Sequence, residues 1–210
     1  MSAPSAIRSR AGSAQTRGAG NTARYKAPSP AQLHRAWLDL VDTDGPFLAV
    51  PPLKRVWPQG LPALPTEARD ILTATRRDFE RAWETLDRSP EDRSAREAYD
   101  RVVLDWVRTV LGEVAGWGDL LAWGPLATPE VTAASPDRRV HVAPVAALRG
   151  PDGSIGALVT VVPPTENLRE AGTDGWADSS IDRMEALLRA SGVPIGIVTD
   201  GRWWALVSTQ

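Results

Sequence analysis

Residues 155–162 read IGALVTVV, eight positions without a charge, set between the turn RGPDGS and the diproline Pro163-Pro164. A run this short, aliphatic and β-branched reads as a strand buried on both faces, which commits the C-terminal half of the chain to a sheet. RRVHVAPVAAL, at 138–148, reads as the strand it returns from. After the breaker-rich PPTENLREAGTDGWA, the stretch SSIDRMEALLRAS predicts a short amphipathic helix with Ile181, Met184, Leu187 and Leu188 inward and Gly192 ending it. GVPIGIVTDGRWWALVS, at 192–208, then predicts a tight hairpin in which Asp200-Gly201 supplies positive φ angles. In its second strand Trp204 and Leu206 share one face, and Ala205 and Val207 the other. Both faces want cover, one from helices and the other from the N-terminal helices or a further domain.

The N-terminal half has a different texture. Residues 1–27 are rich in Ser, Ala, Gly and Arg and read as a disordered basic arm. Ser29 and Pro30 open a predicted helix whose Leu33, Trp37, Leu40 and Val41 recur at helical spacing. Prolines at 46, 51, 52, 58, 62 and 65 then predict an extended strap pinned by Phe47, Leu53, Val56, Trp57, Leu61 and Leu64. Two long helices follow. The first runs from Thr66 to Asp87 on a stripe of Ile71, Leu72, Thr75, Phe79, Ala82, Trp83 and Leu86. The second starts at Ser89 as N-cap and Pro90, and carries Ala95, Tyr99, Val102, Val103, Trp106 and Val110 to about Glu113. The short break predicts an antiparallel pair. The expected class is therefore α+β: an arm at 1–27, a helical region with a proline-rich strap at 28–122, and a small mixed-sheet α/β region at 123–210.

Composition narrows the functional classes. A chain of 210 residues can bury a sizeable core. It has no apolar run long enough to span a bilayer and no secretory leader pattern, so a cytoplasmic protein without membrane partners is expected. No cysteine is present, which excludes disulfides and thiolate metal sites. The net charge of −2 is uneven, because residues 1–27 hold five bases and no acid. Such an arm suits contact with DNA through counterion release, or simply solvation.

The order strand, turn, buried strand, helix and hairpin, with Gly192, Val193, Pro194, Thr199, Asp200, Gly201 and Trp204 at its end, resembles the N-terminal region of large bacterial DNA adenine methyltransferases of restriction and phage-defence systems. The DISARM-associated methyltransferases and single-chain restriction–modification enzymes are the nearest families. GPFLAVPPLKRVWPQGLPAL and LGEVAGWGDLL are similar to their helical preamble, so the resemblance covers roughly residues 30–208. It implies a restriction-endonuclease-like α/β domain of the PD-(D/E)xK type. It also implies methyl transfer from S-adenosylmethionine by sequence beyond Gln210, with no cofactor for this stretch itself.

That nuclease chemistry needs carboxylates on adjacent strands to hold Mg²⁺, and a lysine beside them. The matching strand, Ile155 to Val162, offers neither, and no lysine follows Lys54. Asp137 or Asp152 would have to serve as the first carboxylate with Glu166 as the next acid, although aspartates in turns are commonly structural. Val162-Pro163-Pro164-Thr165 lacks the amide and the aromatic ring that a base-flipping Asn-Pro-Pro-Tyr loop requires. Asp42-Thr43-Asp44-Gly45 begins like a calcium loop, but Leu53 stands where the loop's last glutamate belongs. His34 and His141 are too few for a zinc site without cysteine, and His34 is expected on a polar helical face. Of the nine tryptophans, Trp37, Trp83 and Trp106 are expected to fill the space between helices.

Three functions remain in view. The first is a non-catalytic, degenerate nuclease-like module that positions DNA or docks a downstream methyltransferase domain or other defence-system subunits. The second is a divergent Mg²⁺-dependent endonuclease using Asp137 or Asp152 with Glu166. The third is a stand-alone interaction protein that binds a partner and not DNA. No residue is assigned a catalytic or metal role. Besides the arm arginines, Arg138, Arg139 and Arg202 are the expected DNA contacts, chosen from charge and position.

Overall fold

The computed structural model describes residues 27–42, 50–58, 63–124 and 131–209. The arm before Ala27 and the strap residues Phe47 and Leu61 lie outside them. Helices α1 (Pro30–Leu38) and α2 (Val50–Val56) belong to one compact unit. Everything from α3 (Thr66–Arg88) and α4 (Arg93–Thr109) onward belongs to a second, which also holds β1 (Leu121–Trp123), β2 (Ala133–Ala134), β3 (His141–Val142), β4 (Ala146–Arg149), β5 (Ile155–Val161), α5 (Ser180–Ser191), β6 (Ile195–Thr199) and β7 (Trp204–Ser208). The chain is mixed α and β, with five α-helices and a five-stranded mixed sheet among the described residues.

In the first unit, α1 begins with a capping box: Gln32 N–H donates to the Ser29 hydroxyl, and Ser29 N–H donates to the Gln32 side chain. The proline-rich strap is not extended throughout. VPPLKRV forms α2 because Pro51 and Pro52 fall in its first turn, where no intrahelical N–H donor is needed. Leu53 is buried. The stripe expected inward on α1 faces solvent instead, with Leu33 57% and Trp37 44% exposed, and the helix ends before Leu40. His34, expected on the polar face, is buried beside the Trp37 ring, with centroids 5.8 Å apart. Which side of α1 is buried is a choice that apolar spacing does not encode.

The second unit is built in three layers. Its sheet runs β1-β4-β5-β6-β7, and β5, buried over its middle three residues Ala157, Leu158 and Val159, lies at the centre. Only β5 and β6 are parallel; the crossover between them carries α5. Helices α3 and α4 cover one face, joining Phe79, Leu86, Tyr99, Val103 and Trp106 to Ala146, Val159 and Ile197 of the strands. Burying each large side chain of this kind contributes about 1.5–3 kcal/mol. Helix α5 covers the other face, joining Met184, Leu187 and Leu188 to Ala147, Leu158, Val198 and Val207. Gly196 permits that approach, because a Cβ there would lie 2.4 Å from the Met184 side chain.

Several local expectations change. The N-cap of α4 is Asp92, which accepts from Ser94 N–H at 2.8 Å, rather than Ser89. Residues 138–148 form two strands, since Pro144 has no N–H for a ladder and the chain changes partners there: β3 pairs with β2, and β4 with β1 and β5. Helix α4 runs into a π-helical turn, Val110–Val114, and β1 arises from a segment with no strand periodicity. The left-handed Gly192 ends α5 as its sequence predicts, and a Ser179–Asp182 capping box opens it.

Candidate interaction edge

The Asp200 carboxylate shapes the β6–β7 connection. It accepts from the backbone N–H groups of Arg202 at 2.9 Å, Trp203 at 2.7 Å and Thr165 at 3.2 Å, and it is fully buried. These bonds open the expected two-residue turn into a four-residue loop, Asp200–Trp203, in which Gly201 alone has positive φ, at +91°. The loop is clamped to α4. The Tyr99 hydroxyl donates to the Asp200 carbonyl at 2.5 Å and Trp106 Nε1 to the Gly201 carbonyl at 2.8 Å. Burial, reinforced by the Asp200 charge, pushes the Tyr99 phenol well above the usual tyrosine value.

Strand β7 leaves that clamp as the edge of the sheet. Its pairing with β6 places Leu206 beside Ile197 and Trp204 beside Thr199, on the face that α3 and α4 cover further in. The helix pair stops short of β7: Leu206 is 52% exposed and Trp204 37%. Trp203 faces solvent as well. On the opposite face Val207 is buried under α5. At the head of this edge the Arg202 guanidinium lies over the Trp83 ring of α3, 4.1 Å from its centroid. Arg202 makes no ion pair with a carboxylate among the described residues.

The three arginines expected at DNA do not share a surface. Arg138 and Arg139 sit in the loop joining β2 and β3, whose Ala133, Val140 and Val142 join the α5-side cluster. Arg202 sits on the helix-pair side. Arg139 also lies 3.5 Å from Asp137. Sequence reasoning placed Arg202 near the sheet but missed Trp83, its ring partner, which its own helical stripe assigned to the core.

The carboxylates considered for a nuclease site are dispersed. Asp137 accepts from the Ser135 hydroxyl at 2.6 Å and Asp152 from the Ser154 hydroxyl at 2.6 Å, and these bonds hold both carboxyls below the usual range. Asp152 precedes β5 and Glu166 follows it, so the two flank opposite ends of the seven-residue strand. Among the described residues no three His, Asp or Glu side chains gather where they could hold a metal ion. A shallow groove of about 370 Å³ between α3 and α4 has a floor of Ala82, Ala95, Ala98 and Val102, and the Arg81 at its rim is paired with Asp78. It offers no reactive group. No described helix is long and apolar enough to cross a membrane. No family model matches this chain, and neither does any curated protein or solved structure with which it was compared.

Proposed function

We propose that this chain is a non-catalytic docking module of a bacterial restriction or phage-defence DNA methyltransferase system. In this reading its α/β part is a restriction-endonuclease-like fold that has lost its grip on metal. The observation that carries docking is the exposed side of β7, where Trp204 and Leu206 stand beyond the reach of the helix pair on the outermost strand of the sheet among the described residues. The dispersal of Asp137, Asp152 and Glu166 supports a role without cleavage. The methyltransferase assignment rests on the resemblance of residues 30–208.

The test uses the full chain and the DNA methyltransferase polypeptide encoded in frame after it or beside it. The two are expected to copurify, and Leu206→Lys is expected to abolish that association while leaving the far-ultraviolet dichroism unchanged. Supercoiled plasmid is expected to stay intact in Mg²⁺ and in Mn²⁺. Cleavage that disappears in Glu166→Ala would overturn the non-catalytic reading. DNA retardation that weakens steeply with salt, without copurification, would replace docking by DNA binding. A locus with no methyltransferase frame would remove the system assignment.

A further inference from the structure

Four Asp-Gly pairs occur in the sequence, at 44–45, 152–153, 174–175 and 200–201, and the last three lie among the described residues. We infer that Asp152 is a site of spontaneous covalent rearrangement in the folded protein, converting to isoaspartate, while Asp174 and Asp200 are held back from the same reaction by their partners. The chemistry needs no co-reactant other than water. The Gly153 nitrogen attacks Cγ of the protonated Asp152 carboxyl. A C–N bond forms, a C–O bond breaks, and the amide proton and the hydroxyl leave as one water. Water then adds to the main-chain carbonyl carbon of the five-membered imide and breaks its bond to nitrogen. The chain now runs through the former side chain, a free α-carboxylate remains, and nothing has been oxidised or reduced. Glycine favours the step because it puts no Cβ in the way and leaves the backbone free to turn.

What separates the three pairs is how firmly each carboxylate is held. The Asp200 carboxylate is fully buried and spread over the N–H groups of Thr165, Arg202 and Trp203, and the Gly201 nitrogen donates to the Thr199 hydroxyl at 2.8 Å. Asp174 is exposed, but Arg183 grips both its oxygens, and it accepts from Trp176 N–H as well. Asp152 is tied through Oδ1 to the hydroxyl and N–H of Ser154, on a turn whose residues 151–154 are all exposed. The Gly153 N–H has one bond to give up, to the Gly150 carbonyl at 3.0 Å. Bonds from a guanidinium to a carboxylate are the strong ones, so Asp152, held by a serine alone, is released most often. The turn also has room for the product. An isoaspartyl residue lengthens the main chain by one carbon, and the register of β4 against β5 already shifts between Leu148 and Arg149. The buried part of β5, Ala157 to Val159, begins beyond the turn.

The test ages the full chain at mildly acidic pH, folded in buffer and unfolded in urea, and measures isoaspartate peptide by peptide. Two readouts serve: methyl transfer from labelled S-adenosylmethionine by an isoaspartyl carboxyl methyltransferase, and fragmentation mass spectrometry that tells the isomers of equal mass apart. In buffer the Asp152 peptide is expected to gain isoaspartate about tenfold faster than the Asp174 and Asp200 peptides, the effect of one hydrogen bond to a charged group. In urea, where the partners are gone, the three rates are expected to converge. Asp152→Glu is expected to abolish the signal from this turn, because glutamate would have to close a less favourable six-membered ring. Arg183→Met is expected to raise the rate at Asp174 in buffer and to leave that at Asp152 unchanged. Equal rates at the three positions in buffer would overturn the inference. An Asp152 lead that persists undiminished in urea would overturn protection by the fold. No isoaspartate at Asp152 in buffer, over a time in which the urea sample acquires it, would overturn the site itself.

Discussion

Gly201 lies against Phe79 so closely that a Cβ at position 201 would stand 2.6 Å from the phenyl Cε2 and 2.9 Å from Val103 Cγ2. The positive φ of this residue and the missing methyl serve one end, which is to seat the last hairpin under the helix pair.

Gly201→Ala therefore meets two penalties, a φ of +91° and a clash with ring and methyl groups that are themselves packed. The expected loss is about 2–4 kcal/mol, read as a lower urea midpoint with an unchanged slope. A variant within about 0.5 kcal/mol of wild type would show that the seat is not packed as described.

Tyr99→Phe leaves the Asp200 carbonyl without its buried donor and is expected to cost about 1–2 kcal/mol at neutral pH. The phenol's raised pKa also fixes a pH dependence. The unfolded chain releases this proton near pH 10 and the folded chain does so only at higher pH. The stabilisation is thus complete below about pH 10 and is lost as pH rises further. Urea titrations across that range are expected to fall more steeply for wild type than for Tyr99→Phe.

Much of this arrangement was legible in the residues themselves. The uncharged 155–162 run, the apolar spacing of α5 with Gly192 at its end, and the stripes of α3 and α4 are local patterns that packing did not override. The prolines of α2 misled because their position within the helix, not their number, decides whether they break it. The β6–β7 loop differed because the Asp200 side chain outcompetes a two-residue turn for the N–H groups of 202 and 203. For the candidate edge, alternation gave the two faces of β7, but which face stays open depends on where α3 and α4 end across the sheet. No periodicity carries that distance.

Arg183 ties the loop before α5 to the helix. Its guanidinium is bidentate to Asp174 at 2.5 and 2.9 Å, bonds the Trp176 and Asp178 carbonyls, and lies over the Trp176 ring. Arg183→Met is expected to cost about 2 kcal/mol, chiefly from the two carbonyls left without this donor. The arginine's hydrogen bonds hold the Asp174 carboxyl below the usual range. That contribution is present above about pH 4 and lost as pH falls through the lower folded value. Comparing the acid limb of the stability profile for Arg183→Met and wild type checks it, and the variant's limb is expected to be the flatter one.

Leu206→Lys places a charge on β7 at a side chain already half in solvent. The urea midpoint is expected to move by less than about 0.5 kcal/mol in free energy.

The clamp between α4 and the last hairpin joins residues 95 and 101 positions apart in the chain. During synthesis α3 and α4 emerge well before the strands that will roof their apolar side, β4, β5 and β6. Phe79, Tyr99 and Trp106 therefore wait without their final neighbours until the ribosome has passed Gly201. A chaperone that shields this helical hairpin in the interval would hold the nascent chain clear of aggregation.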